Sequence, residues 1–431
     1  MHARLVQLPL STLGAFGVRI GAAALAYILQ IILARSLGAA DYGTFSFAWS
    51  LVTIGGFLAT LGFGQIAVRY LAEYHQRGDA ARARGFLRHA FTLTLAGSVA
   101  IIGLLYALFP LVEAGYGSLC CTVLAIGLMA LPFFAITDLG EGMARSQGWT
   151  FRALTPAYIV RTGLMIAGLA IALLAGWRIS AEIAILIALL ATIGAAALQL
   201  GWTIPTILRL FPDRKAQSDA PEWHRAAFPT LLSDLALLAR QNIDLIVLGL
   251  VAPAATVGIY FAATRIASLI GLVEFAIGAA YGHRFARAKV GGGAEGHTAY
   301  LEARRLMRLL GLGGAAVLAL LAPLILMLFG TGFGTALSPA LILLAGAGIR
   351  MAFGPMEDML QMAGFPADVW RANLIGALVT AILCFLLAGP YQAVGAAVGA
   401  SIGGLAATMM LALAFRRHAS APGLSAPSGD A

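Results

Sequence analysis

Residues 181–205 read AEIAILIALLATIGAAALQLGWTIP, a run in which Glu182 is the one charged side chain. A bilayer core about 30 Å thick is crossed by about 20 apolar residues in an α-helix, so this run predicts a transmembrane helix. Eleven further stretches of this kind occur, although two of them are short enough for one to be re-entrant instead. The predicted spans are residues 10–35, 44–68, 87–110, 118–139, 154–176, 181–205, 228–250, 256–280, 309–329, 335–353, 370–388 and 391–415, with 335–353 and 370–388 the short pair.

The composition supports membrane insertion of the whole chain. Hydrophobic residues make up 60% of its 431 residues and charged residues 11%, whereas soluble domains carry about 25% charged residues. The mean hydropathy is +0.89. We therefore predict an all-α polytopic membrane protein with about twelve transmembrane helices.

A polar, charged segment containing Pro212 and Pro221 lies between the sixth and seventh spans. The pattern Gly-x-aromatic-x-x-Ala starts at Gly43 and again at Gly258, at matching places in the two halves, which favours an internal duplication. Halves with an even number of spans share one orientation, so a pseudo-two-fold axis along the membrane normal would relate two lobes around a central cavity. We predict a six-helix lobe at 1–210, a cytoplasmic linker at 211–226, a second six-helix lobe at 227–418 and a disordered tail at 419–431.

Basic residues indicate which way the loops face. With a cytoplasmic amino terminus, 21 of the 28 lysine and arginine residues fall in cytoplasmic loops, including a cluster in residues 69–88. Only Arg35 and Arg178 lie at outer helix ends. The opposite orientation would violate the positive-inside rule, so both termini are predicted to be cytoplasmic. The net charge of +9 then faces an anionic inner leaflet, and no nucleic-acid partner is needed to explain it.

Charged side chains inside the predicted spans are the candidate site residues. A charge at mid-membrane costs about 2.5–3.5 kcal/mol, so it usually faces the bundle interior or a water-filled cavity. The five cations outnumber the three acids, and surplus guanidinium groups suit an anionic, phosphate-bearing ligand. The predicted cationic cavity consists of Arg19, Arg161, Arg240, Arg265 and Arg350, and the acids are Asp234, Asp244 and Glu274.

Arg240 and Asp244 are four residues apart and share a helix face, with Arg265 at a similar depth on the next span, so the three can form a triad. The alternative is a buried ion pair that only fixes helix register. Glu274 has no partner one turn away; it lies in water at the cytoplasmic mouth or is a protonatable coupling site. Asp244 and Glu274 are the ion-coupling candidates.

For the other charged residues in the predicted spans, and for the cysteines, a structural explanation is the alternative to a functional role. Arg161 and Arg350 lie nearer the cytoplasmic ends, where long side chains can reach the headgroups. Asp234 lies in the first turns of the seventh span, where an acid suits the helix dipole. Cys120, Cys121 and Cys384 have no metal-binding spacing, and their odd number supports no disulfide framework. We expect no metal, no cofactor and no catalytic residue.

Four stretches carry a resemblance to a known family: LARSLGAADYGTF at 33–45, LGFGQIAVRY at 61–70, NIDLIVLG at 242–249 and VGIYFAATRI at 257–266. They resemble the first two helices and the paired seventh and eighth helices of Wzx-type polysaccharide flippases. These flippases belong to the multidrug/oligosaccharidyl-lipid/polysaccharide exporter superfamily. The sharp motifs cover those two regions, and the topology is similar over most of the chain.

The resemblance implies a non-enzymatic transporter of the bacterial inner membrane that works by alternating access. Its substrate would be a polyprenyl-pyrophosphate-linked oligosaccharide, moved from the cytoplasmic to the outer leaflet for O-antigen, capsule or exopolysaccharide synthesis. It also implies coupling to H⁺ or Na⁺, as in an antiporter, and partnership with a polysaccharide polymerase and a chain-length regulator. No nucleotide-binding motif is present in the sequence.

Three alternatives remain at this stage. An ion-coupled multidrug exporter of the same superfamily often carries cationic substrates, which disfavours a cavity rich in arginine. A lipid II flippase has two additional helices, which this length does not comfortably accommodate. A membrane-bound sugar polymerase or ligase would be expected to hold its catalytic residues in a large outer loop, and every predicted outer connection is short.

Overall fold

The computed structural model describes residues 10–110, 113, 118–212, 215–291 and 293–418, with the side chains of all of these except 10–20, 118, 279, 283, 286–291 and 293–297. This part of the chain is helical and contains no β-strand. The helices are α1 Leu10–Ala59, α2 Phe63–Arg77, α3 Ala80–Ala107, α4 Ser118–Leu128, α5 Leu131–Ser146, α6 Thr150–Leu154, α7 Arg161–Leu174, α8 Ala181–Leu210, α9 Ala220–Val251, α10 Ala254–Ser268, α11 Gly271–Gly291, α12 Gly293–Phe329, α13 Leu337–Met351, α14 Met356–Ala363 and α15 Pro366–Arg417. A π-helical turn, Thr155–Val160, joins α6 to α7, and a 3₁₀ turn, Gly334–Ala336, precedes α13.

The two longest helices are each broken once. Helix α1 changes direction at Gly38, whose φ of 70° lies in the left-handed region that suits a residue without a Cβ. Helix α15 breaks at Gln392, with φ 47° and ψ −128°, two residues after Pro390. Both breaks fall next to predicted span boundaries, so each long helix supplies two spans.

The described helices accommodate the twelve predicted spans. Eight helical segments are long and apolar enough to cross a membrane, and the bent pair Leu119–Leu128 and Leu131–Ser146 adds a ninth. Two of the eight, Gly21–Arg77 and Pro366–Arg417, contain 57 and 52 residues, and at 1.5 Å per residue each is long enough to cross a bilayer core twice. Helix α9 provides the twelfth with 32 residues that include Asp234, Arg240 and Asp244.

The packing divides the chain into two compact units. The first comprises residues up to Leu37 and Ala48–Leu231, and the second comprises Gly38–Phe47 and the residues from Leu232 onward. Helix α9 therefore contributes its first three turns to the first unit and the remainder to the second. The predicted linker is helical from Ala220, and the predicted tail lies outside the described residues.

Aromatic residues hold the beginning of α9 inside the first unit. Trp223 is fully buried, and its indole Nε1 donates a hydrogen bond to the Tyr74 hydroxyl at 2.8 Å. The Tyr70 hydroxyl donates to Glu222 at 3.2 Å, and the Phe86 ring packs edge-on against Trp223. Because buried polar groups are costly without partners, these bonds fix α9 to α2.

In the second unit, helices α1 and α10 meet at the two glycines of the repeated sequence pattern. A Cβ at Gly43 would collide with the Ala254 carbonyl, and a Cβ at Gly258 would collide with the Ala39 carbonyl. Small residues allow such close approach of helix backbones in membranes. The neighbouring Tyr42 is fully buried, and its ring lies edge-on to Phe261.

Candidate functional site

Arg161 is the predicted site residue that the structure describes in the first unit. It follows the π-helical turn Thr155–Val160 directly, a local widening of the helix that is frequent at functional sites. Its guanidinium carbon lies 4.6 Å from the centre of the Phe134 ring, and Glu141 acts on it electrostatically. Arg19 belongs to α1, but its side chain lies outside the described part of the structure.

The structure does not bring the predicted triad of Arg240, Asp244 and Arg265 together. Asp244 and Arg265 lie in one cluster, and Arg240 lies in another. The Tyr260 hydroxyl donates a hydrogen bond to Asp244 Oδ2 at 2.5 Å, and the Leu245 amide donates to Asp244 Oδ1 at 2.8 Å. Arg265 is close enough to act on Asp244 electrostatically, and its guanidinium carbon lies 4.3 Å from the centre of the Phe261 ring. Tyr260 was not among the predicted site residues, although it lies in the motif at 257–266.

Arg240 belongs to a second charged cluster, which occupies a small cavity of the second unit. Its Nη2 atom lies 3.9 Å from Glu357 Oε2, and the Asn373 side-chain amide donates to Glu357 Oε1 at 3.2 Å. Arg350 and Glu274 line the same cavity, together with Asp358. Its volume of about 40 Å³ has room for a few water molecules and excludes a sugar.

The connection between α13 and α14 brings two of these acids into the cavity. Gly354 turns the chain with φ +88°, and Pro355 caps α14, whose first turn carries Glu357 and Asp358. Acidic side chains in the first turn of a helix are stabilised by its dipole. Arg350 also lines the cavity, and a Cβ on Gly404 would lie 3.0 Å from its Cδ atom.

The small cavity of the second unit holds more acids than the sequence predicted for it. Its lining contains two predicted arginines, Arg240 and Arg350, and three acids, Glu274, Glu357 and Asp358. Glu357 and Asp358 fall between the predicted tenth and eleventh spans, so the sequence assigned them to a loop. The chain instead folds there into α14, which packs against α11 and α15.

The structure thus brings together Arg240, Glu274 and Arg350 in one cavity and Asp244 and Arg265 in a second cluster. Asp234 lies half-buried on α9. Asn373 could have been identified as a polar residue within an apolar span. Glu357 and Asp358 could have been identified as two adjacent acids close to the end of a predicted span. Among the described residues, no group of three or more His, Cys, Asp or Glu side chains could hold a metal ion.

Comparison with known proteins gives a family match and a set of similar folds. The family model described as polysaccharide biosynthesis protein matches residues 12–281. A lipid II flippase structure, MurJ in an inward closed conformation, superimposes with a TM-score of 0.75 at 14% identity, covering 94% of this chain and 87% of that one. No curated protein sequence is significantly similar to this chain.

Two further structures are similar over nearly their whole length. An inward-facing multidrug resistance MATE family transporter of the MOP superfamily gives a TM-score of 0.72 at 19% identity, covering 93% of this chain and 95% of that one. A MOP superfamily transporter from Pyrococcus furiosus, described as having a binding pocket of reverse polarity, gives a TM-score of 0.60 at 19% identity, covering 94% of this chain and 93% of that one. At these identities the similarity establishes the fold alone.

Proposed function

Since this chain belongs to the polysaccharide biosynthesis protein family of multi-pass membrane transporters, we propose that it flips a polyprenyl-pyrophosphate-linked oligosaccharide. The direction is from the cytoplasmic to the outer leaflet of a bacterial inner membrane, by alternating access and without nucleotide hydrolysis. The family match over residues 12–281 is the observation that carries this proposal. Charged residues of the two units support separate roles in this proposal, one in binding the substrate and one in binding a coupling ion.

Arg161 and Arg265 are the arginines best suited to bind the pyrophosphate. Each stacks on a phenylalanine of its own unit, Arg161 on Phe134 and Arg265 on Phe261. Stacking uses the face of the guanidinium plane, and its edge carries the N–H donors that bind phosphate oxygens in pairs.

Arg240 and Arg350 have a different role in this proposal, because Glu274, Glu357 and Asp358 surround them in a water-sized cavity. Such a cluster can take up or release an ion without holding the substrate. Asp244, bonded to Tyr260, is the second candidate for H⁺ or Na⁺ coupling. Charges buried in membrane helices commonly mark ion pathways, which supports both assignments.

A deletion strain tests the proposed function. Loss of the gene should leave the lipid-linked glycan facing the cytoplasm and abolish surface polymer, and the wild-type gene should restore both. Arg161→Ala and Arg265→Ala should fail to complement although the protein reaches the membrane. Arg69→Ala is the matched control, because the Arg69 side chain is 73% exposed and lies in a predicted loop.

A second candidate function, an ion-coupled exporter of cationic compounds, is favoured by the small cavity of the second unit, whose lining holds three acids and two arginines. Carboxylates in this cavity would attract a cation and repel a pyrophosphate. The same deletion strain separates the two functions. Normal surface polymer with increased sensitivity to cationic drugs would replace the flippase proposal by the exporter.

A further inference from the structure

A groove in the first unit is lined by residues of helices α3, α5 and α8. Its volume is about 740 Å³, within the range of about 300–1,000 Å³ that is usual for ligand sites. Leu87 and Phe91 of α3, Met143 of α5 and Ile204 of α8 contribute apolar walls. The charged cavity described above lies in the other unit and shares no residue with this groove.

Two residues of α8 shape its side of the groove. One leaves space for a ligand, and the other leaves a backbone carbonyl without its partner. Gly201 has no side chain, and no atom lies within 4 Å of the position that a Cβ would take. Pro205, four residues later, has no N–H, so the Gly201 carbonyl lacks its usual partner within the helix. The groove therefore combines an apolar surface with a backbone acceptor on its wall.

Two arginines line one end of the groove. Arg84 and Arg88 are four residues apart and thus on the same face of α3. The Arg84 Nε atom donates to the Phe211 carbonyl at 2.9 Å, which fixes the position of its guanidinium group. Arg88 is exposed. Both lie near the start of α3, where a transmembrane helix passes through the headgroup layer.

We propose that this groove binds an anionic phospholipid of the surrounding membrane. Its phosphate would lie at Arg84 and Arg88, and one acyl chain would lie along Leu87, Phe91 and Ile204. Basic pockets between transmembrane helices bind anionic headgroups in this way, and guanidinium groups match phosphate oxygens. The proposal does not depend on which substrate the protein carries.

A bound lipid would also stabilise the segment that follows α8. The Gln217 amide donates to the Ala81 carbonyl at 3.0 Å, and a Cβ on Gly85 would collide with the Gln217 carbonyl. The segment therefore packs tightly on the first turns of α3, beside the arginine end of the groove. We expect anionic lipid to raise the thermal midpoint of the purified protein.

The test measures binding of phosphatidylglycerol and phosphatidylcholine to the purified full-length protein by native mass spectrometry, with thermal midpoints as a second readout. Phosphatidylglycerol should bind and phosphatidylcholine should not. Gly201→Leu should weaken binding at least about tenfold, since a methylene group contributes about 0.8 kcal/mol and the leucine displaces two or more. Arg88→Gln should weaken it about fivefold through the loss of one cation at the surface.

Gly103→Leu is the matched control, because Gly103 also has no atom within 4 Å of its Cβ position and does not line the groove. This variant should bind phosphatidylglycerol like the wild type. Equal affinity of the wild type and Gly201→Leu, or equal binding of the two phospholipids, would overturn the proposal. Preferential binding of undecaprenyl phosphate over phosphatidylglycerol would overturn the assignment of the occupant. If Gly201→Leu does not fold, Arg88→Gln decides the question.

Discussion

The hydrogen bond from Tyr260 to Asp244 can be tested by removing one oxygen atom. Tyr260→Phe keeps the ring, which is fully buried, and deletes the hydroxyl that donates to Asp244 Oδ2. A hydrogen bond to a charged group contributes about 1.5–3 kcal/mol, against about 0.5–1.5 kcal/mol for a bond between neutral groups. The Leu245 amide still donates to Oδ1, so we expect a loss of about 2 kcal/mol in the free energy of unfolding.

Tyr300→Phe is the matched control within the same unit. Tyr300 is 5% exposed, and its hydroxyl donates to the neutral carbonyl of Phe353 at 3.0 Å. Its loss should cost about 1 kcal/mol. For a unit of about 200 residues, these values correspond to midpoint decreases of about 4–8 °C for Tyr260→Phe and about 2–4 °C for Tyr300→Phe.

The assay is the thermal midpoint of the purified protein in one detergent, measured for both variants alone and in an Asp244→Asn background. With the charge removed, Tyr260→Phe should cost about as much as the control. Equal midpoints for Tyr260→Phe and Tyr300→Phe in the wild-type background would refute the charge-assisted bond. The case for Asp244 as an ion-coupling residue would then lose its structural support.

Three other predictions concern packing, substrate binding and topology. Gly258→Ala should destabilise the protein by about 1–3 kcal/mol, because the new Cβ would collide with the Ala39 carbonyl. Gly103→Ala, whose Cβ meets no neighbouring atom, should stabilise it by about 0.5–1 kcal/mol. The thermal midpoint should therefore fall for the first variant and rise for the second, relative to the wild type. Arg265→Lys keeps the charge but loses the planar group stacked on Phe261, so complementation of the deletion strain should fall about tenfold, and full complementation would contradict phosphate binding. A cysteine at Asp79, in a version lacking the native cysteines, should react only with a membrane-permeant reagent, and labelling from outside would reverse the predicted topology.

The membrane-spanning helices could be predicted closely because the bilayer imposes one length on every span. Even the two helices that run on without a gap break next to the predicted boundaries, at Gly38 and Gln392. Helix α9 is the informative exception: it is long enough to span but carries Asp234, Arg240 and Asp244. The sequence still predicts a span at residues 228–250 because apolar side chains predominate there, and its three charges are expected to face protein or water.

The partners of the site residues could not be predicted from spacing within one helix. Arg240 and Asp244 share a helix face, and from this a joint triad was expected. Tertiary packing instead places Tyr260 on Asp244 and Glu357 near Arg240. Helical periodicity identifies which residues point the same way, but a side chain on the neighbouring helix is a better partner when its geometry and charge fit.

The acids at 357–358 were missed for a second physical reason. Hydropathy assigns a short polar stretch between two apolar runs to a loop, and the eight residues of α14 are too few for a span. Their position was decided by the turn at Gly354 and Pro355, which directs the first turn of α14 into the cavity with Arg240 and Arg350. A charged helix of this length is placed by tertiary packing, so the sequence alone could not show that two of its acids line the cavity.

The repeated glycine pattern acquires a physical meaning from the structure. A Cβ on Gly43 would meet the carbonyl four residues before Gly258, and a Cβ on Gly258 would meet the carbonyl four residues before Gly43. Such a reciprocal contact is what two copies of one motif form when they pack about a local two-fold axis, as in a symmetric dimer. Small residues four apart on each helix form such a contact wherever two membrane helices pack closely. The contact is therefore consistent with the internal duplication that the repeated pattern favours, because both copies of the pattern have the same role in packing.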